Sequence, residues 1–360
     1  MLSRVADSIY WMSRYVERAE NVARFIDVNL QLVLDGPPDQ EQQWQPLVNA
    51  TGDQEEFARR YGAATQDNVI EFLTFDSQNP NSILSCLQAA RENARGVREV
   101  ISSAMWLQLN KFYLMVKLAA ATPIDLDFAT EFFHEVILSS QLFAGITDAS
   151  MTHGAGWHFA QIGRMLERAD KVSRILDIKY YILLRSPEDV GTSFDHIQWG
   201  AVLRSASAFE MYCKRHGRIS PRGVVEFLML DREFPRSVQF CLRSARDSLH
   251  VISGTPAGAF RCAPEKLLGQ ICSELELATV DDIIRCGLHE YIDQFQTKLN
   301  QTAQAIYERF FAFKLPRAAN IDATVGSLSN AVGDGHRPPL QNRIEMRRWD
   351  RYQTHEPDCA

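Results

Sequence analysis

A chain of 360 residues, 46% of them hydrophobic, can bury a sizeable core as two domains or one large one, and its composition shows neither disorder nor a collagen-like repeat. Its 38 basic residues against 45 acidic ones leave a net charge of −7, which argues against a general nucleic-acid binder because counterion release needs a clustered Lys/Arg excess. No apolar run approaches a membrane span and the N-terminus has no apolar leader with a cleavage site, so a cytoplasmic protein without membrane partners is expected.

Helix periodicity dominates from the start. With Ser3 as N-cap, Ile9, Met12, Val16, Ala19, Ala23, Ile26, Leu30 and Val33 follow the alternating three- and four-residue spacing of one apolar helix face, and Asp35-Gly36-Pro37-Pro38 supplies the stop. Further helices are predicted over 44–62, 66–75, 81–110 and 126–148. Met151–Trp157 is then a connection whose glycines allow a close approach to the next helix, with Trp157 as a core anchor. That helix repeats the apolar stripe as Phe159, Ile162, Leu166, Ala169, Ser173, Leu176, Tyr180 and Leu183, and stops at Ser186-Pro187. Helices follow over 196–216, 221–230, 235–252, 264–273 and 279–314, and no period-two strand with hairpin turns interrupts them. The predicted class is therefore all-α. Residues 317–360 change character, with small and polar residues and then Arg343, Arg347, Arg348 and Arg351 around Trp349. They are expected to be an extension, partly disordered or docking on a partner, with one short helix over 341–352. The seven cysteines form no CxxC pair and are expected to be reduced.

The chain repeats itself. Arg14, Glu17-Arg18-Ala19, Val22, Arg24 and Asp27 recur 150 residues on (164 − 14) as Arg164, Glu167-Arg168-Ala169, Val172, Arg174 and Asp177. The run from Val69 through Glu71, Asp76, Pro80, Ser82 and Cys86 to Arg91 recurs 155 residues on (226 − 71), as does Trp44 in Trp199. Such self-similarity predicts an internally duplicated helical bundle: a first repeat over 1–150, a second over 151–316, and the extension.

On a helical wheel Arg14, Glu17, Asn21 and Arg24 lie together, with Glu20 and Asp27 beside them, away from the apolar stripe. A solvated face of i,i+3 and i,i+4 pairs is the simplest explanation. The repeat weighs against it: Arg14, Glu17, Arg18, Arg24, Arg164, Glu167, Arg168 and Arg174 keep residue type while neighbouring core positions drift. Inter-helix ion pairs or a polar site, at least partly buried, are expected instead. Arg91, Arg95 and Arg98 at i, i+4, i+7 form a second candidate, able to grip a carboxylate, a phosphate or an acidic partner, or else to pair with Glu17, Glu20 or Glu71. Glu131-Phe132-Phe133-His134 looks like half of a di-iron ExxH pair, but the position equivalent to Glu131 is Cys286, so no metal is expected. No P-loop, GxGxxG turn or GxSxG elbow is present, and no cofactor or tight ATP binding is expected.

Ala6–Asn21, Arg91–Arg95 with Trp106, Gly156-Trp157, Gly163-Arg164, Glu167–Ala169 and Phe234–Val238 together resemble the bacterial alpha-E family, an all-helical family named for its Glu-Arg motif. The resemblance covers about residues 1–315 and implies company more than chemistry. Such proteins look like partners of a circularly permuted ATP-grasp protein, often beside a transglutaminase-like protease, in ATP-dependent carboxylate–amine ligation on a peptide. The implied role is a helical scaffold or substrate-presenting subunit. Two alternatives stand beside it: an enzyme using Glu17 and Glu167 as acid and base on peptides, and a stand-alone protein that binds acidic peptides through Arg91, Arg95 and Arg98.

Overall fold

The computed structural model describes residues 1–35, 44–121, 126–183 and 193–312. The predicted extension from 317 onwards, with its helix at 341–352, and Cys359 lie outside them, as do Gly36-Pro37-Pro38 and Ser186-Pro187.

Helices make up the architecture, and no strand occurs among the described residues. The first series is α1 (Ser3–Asp35), α2 (Gln45–Thr51), α3 (Gln54–Tyr61), α4 (Gln66–Thr74), α5 (Ile83–Arg95), α6 (Ser103–Ala119) and α7 (Leu126–Ser150). The second is α8 (Ala155–Leu183), α9 (Ser193–Ser205), α10 (Phe209–His216), α11 (Pro221–Leu230), α12 (Val238–Ser253), α13 (Ala263–Leu277), α14 (Val280–Cys286) and α15 (Leu288–Ile306), closed by a π-helical turn, Tyr307–Phe311. Helices α3, α4 and α5 start at 54, 66 and 83, and α10, α11 and α12 start 155 residues later at 209, 221 and 238. Ser82 and Ser237 cap α5 and α12 alike, each accepting a backbone N–H three residues on.

Several predicted helices divide, each for a local reason. Gly52, in the left-handed region at φ 77°, ends α2 and splits the span 44–62. The span 81–110 breaks after Arg95, and Ser102 caps a new helix that runs on to Ala119. Ser207, at φ 51°, interrupts 196–216, and Gly287, at φ 94°, separates α14 from α15. At the N-terminus the cap carbonyl belongs to Leu2, which accepts from Ala6, so Ser3 lies inside α1.

The core is organised around α1 and α8. Helix α1 packs on α5, α7 and α8, while α8 packs on α1, α12 and α15. Enclosure on several sides buries most residues from Val5 to Leu30, including the apolar stripe through Leu30; Val33 emerges 38% exposed. The two long helices run in the same direction, since Ile9 lies beside Gly156, Tyr10 beside Gly163 and Arg14 beside Glu167. Gly163 sets how closely they meet: a Cβ there would stand 2.4 Å from the Tyr10 carbonyl oxygen. Trp157, half-buried, stacks on His153 at 4.2 Å between centroids and so edges the core.

Candidate functional site

With α1 and α8 held that close, their Glu-Arg pairs face each other and exchange partners. Arg18 places Nε 2.7 Å from Glu167 Oε1 and Nη2 3.1 Å from Oε2. Arg168 places Nε and Nη2 each 2.8 Å from the two carboxylate oxygens of Glu17. Both are forked, charge-assisted contacts of the kind a guanidinium makes and an ammonium cannot. Arg14 adds an Nε bond of 2.8 Å to Glu167, donates to the Tyr10 hydroxyl at 3.2 Å and lies 4.9 Å over the Trp11 ring.

Loops supply the remaining partners. Asn81, just before α5, accepts from Arg18 at 2.8 Å and is itself held by Asp53. Arg236, just before α12 and 155 residues beyond Asn81 (236 − 81), bridges Glu17 and Glu20 and also reaches Asn21. Glu20 takes two bonds from Arg24 and one from Ser140 of α7, while Asp170 pairs with Arg174 and Lys171. The network spans α1, α7 and α8 and the entries to α5 and α12, and Glu17, Glu20, Glu167 and Asp170 are all 2% exposed or less.

Electrostatics fix its protonation. Burial disfavours charge on Glu17, but the Arg168 and Arg236 guanidiniums outweigh it and pull the carboxyl down to about 2. Burial opposes the charge on Glu167 too, yet Arg18, Arg14 and Lys171 hold it well below the usual carboxylate range. Reciprocally, burial would lower Arg168, and Glu17 raises it beyond the ordinary arginine value. Two buried carboxylates locked in the charged form are ill suited to trade protons near neutrality.

Arg164, 150 residues beyond Arg14 (164 − 14), is held differently from Arg14. It donates to Gln161 Oε1 at 2.5 Å, its Nε is buried without a partner, and burial pushes its pKa down. A small cavity of about 20 Å³ beside it, walled by Ser13, Glu17, Ser140 and Trp157, is of the size of one water.

The second candidate set is reorganised rather than assembled as a three-arginine face. Helix α5 ends at Arg95, so Arg98 lies in the following turn. Trp106 of α6 gathers two of the three: Arg98 lies 4.8 Å and Arg91 5.6 Å from its ring centroid, with Arg91 Nε on Asn110 Oδ1 at 2.8 Å. Arg95 is exposed and pairs with Glu92 at 3.2 Å. None of their hydrogen bonds or ion pairs runs to Glu17, Glu20 or Glu71. Glu131 and His134 are exposed, and among the described residues no group of three or more His, Cys, Asp or Glu side chains could hold a metal ion. His289, 155 residues beyond His134 (289 − 134), bonds to Asp177 Oδ1 at 2.7 Å. Among the described residues six cysteines are free and no helix is long and apolar enough to cross a membrane.

A cleft of about 430 Å³ opens beside the network, between α1, α13, α15 and the π-helical turn. Tyr10, Trp11, Tyr307 and Phe311 give it aromatic walls, and Asn300 and Gln304 line its polar side. Asn300 Oδ1 is buried without a hydrogen-bond donor. Sequence reasoning placed Glu20 in the charged cluster but missed this cleft, along with Arg236 and Asn81 as members of the network. The shared 155 offset of Asn81 and Arg236 was a usable signal, but their residue types differ.

A family model described as a predicted alpha-helical domain with a conserved ER motif, Alpha-E, matches residues 1–311. The uncharacterized protein Mb2597 of Mycobacterium bovis is 25% identical over 329 residues, covering 84% of this chain and 36% of its own length. The uncharacterized protein Rv2567 of Mycobacterium tuberculosis is 24% identical over the same shares. The chain thus spans about a third of the length of these relatives. No solved structure matches it.

Proposed function

The chain belongs to the alpha-E family, and we propose that it serves as a helical scaffold that presents a peptide substrate to an ATP-grasp carboxylate–amine ligase. The observation that carries this reading is the cleft beside the Glu-Arg network. Aromatic walls and side-chain amides suit an extended peptide, whose backbone groups the amides of Gln301 and Gln304 could meet. The Glu-Arg signature has a mechanical role here: it clamps α1 to α8 and so fixes the cleft wall that Tyr10, Trp11 and Arg14 provide. The acid–base alternative fares worse, because it needs one carboxyl near neutrality, whereas Glu17 is pulled to about 2 and Glu167 well below its usual range. The relatives carry this stretch joined to much further sequence, which fits a module that works beside another domain.

The same reading takes residues 1–150 and 151–316 as two copies of one helical unit in a cytoplasmic protein, with helix starts displaced by 155 residues as its support. An experimental structure in which α1 and α8 fail to superpose with their flanking helices would refute the duplication. The functional test is incubation with the ATP-grasp protein, ATP and a pool of amino acids and peptides, followed by mass spectrometry. A ligated product that requires both proteins supports the reading, and one formed by the ligase alone at the same rate refutes it.

A further inference from the structure

Among the described residues, helix α6 leaves one face unpartnered. Leu107, Leu114 and Leu118 are 65%, 50% and 73% exposed, at i, i+7 and i+11 on one side of the helix. The stripe extends roughly 16 Å, about three helical turns. Exposed leucines at this spacing are the pattern of a helix that receives another helix.

The surroundings indicate what it receives. Helix α6 contains no acidic residue, and its Lys111 and Lys117 are exposed beside the leucines. Arg91 and Arg98 stand over its Trp106, and exposed Arg95 follows Arg91 by one turn on α5, with only Glu92 and Glu99 as acids between residues 91 and 99. On a chain of net charge −7 this is a local cationic field. Its arginines are already positioned: Arg91 and Arg98 both lie over Trp106, and Arg91 also lies 5.2 Å over Tyr113. Arg, Trp and Tyr in a half-buried cluster are the residues that dominate binding energy at protein interfaces, and packing them beforehand lowers the entropy cost of docking.

We propose that the α6 face, with the Arg91–Trp106–Arg98 cluster at its edge, is the docking site for an acidic amphipathic helix on a partner protein. The inference rests on the reading of this chain as a partner-dependent module and names where the partner binds. A protein helix fits better than an anionic membrane, because Trp106 is packed beneath arginines rather than free to insert.

The test uses the full chain and two synthetic helical peptides with an identical leucine stripe, one bearing glutamate and the other lysine at the remaining positions. Fluorescence anisotropy is expected to show binding of the glutamate peptide only. That binding should weaken about tenfold between low and high salt, in Leu114→Glu and in the Arg91→Ala/Arg98→Ala double variant. Circular dichroism would verify that each variant folds. Equal binding of both peptides, or unchanged binding in both variants, would overturn the proposal. So would a chain that ignores the peptides but sediments with phosphatidylglycerol vesicles, which would assign the face to a membrane surface. No ligase is present, so a failed ligation assay alongside intact peptide binding would count against the ligase reading alone.

Discussion

Arg168 forks onto Glu17 with both nitrogens at 2.8 Å, and the pair is deep enough that Glu17 is 2% exposed. Arg18 makes the matching fork onto Glu167 in the opposite sense. Charges removed from water this completely are costly unless every one is matched, so the network stabilises only as a whole.

Truncating one member should therefore be severe. Glu167→Ala removes the carboxylate that balances the buried charges of Arg14 and Arg18 and is expected to cost roughly 3–5 kcal/mol, against about 1 kcal/mol or less for breaking the surface pair of Arg59 and Glu56. Urea denaturation compares the two, and an unchanged midpoint for Glu167→Ala would place the motif among dispensable surface charges.

Acid should open the network in a defined window. Glu17 has its pKa depressed to about 2 in the folded chain, so its contribution is fully present above the unfolded carboxyl value and disappears as pH falls from about 4.5 towards 2. Glu167, also depressed, acts in the same direction. Stability measured by denaturant from pH 6 to pH 2 is expected to drop steeply in the native chain and less steeply in Glu17→Gln, which starts from a lower stability.

Close approach of α1 and α8 makes a separate demand on Gly163. An added methyl would press on the Tyr10 backbone, so Gly163→Ala is expected to cost roughly 1–3 kcal/mol although alanine favours helix. Thermal unfolding checks the sign: a rise in Tm would show that the helices can part cheaply.

Thiol chemistry gives a probe of folding that needs no partner. Burial pushes Cys241 up to about 12, whereas Cys286 is exposed. Iodoacetamide at pH 8 followed by peptide mass spectrometry is expected to label Cys286 and to leave Cys241 unmodified until denaturant is added.

Nucleotide binding is the remaining prediction. The sequence has no Gly-rich phosphate loop, so calorimetry with magnesium and ATP on the isolated chain should show no binding. Magnesium-dependent binding lost in Arg95→Ala would move the nucleotide chemistry onto this protein.

Much of the molecule was legible in its residues because the signals were local. Three- and four-residue apolar spacing marked α1 and α8, and the recurrence of Glu-Arg-Ala pointed to interior pairs rather than a solvated face. Helix interruptions were harder, since Ser207 and the Gly96–Ser102 turn carry weak breaking signals that the surrounding packing makes decisive. Which carboxylate each arginine grips was beyond sequence. Helical spacing alone would pair Arg18 with neighbours three or four residues away, and only the parallel contact at Gly163 sets it against Glu167. Arg236 and Asn300 belong to loops and helices remote in sequence from Glu17 and Trp11, so their meeting is a property of tertiary packing. Residue type and period dictated which segments are helical and which charges needed partners; the distance between α1 and α8 decided who those partners are, because ion pairs across helices depend on register in three dimensions.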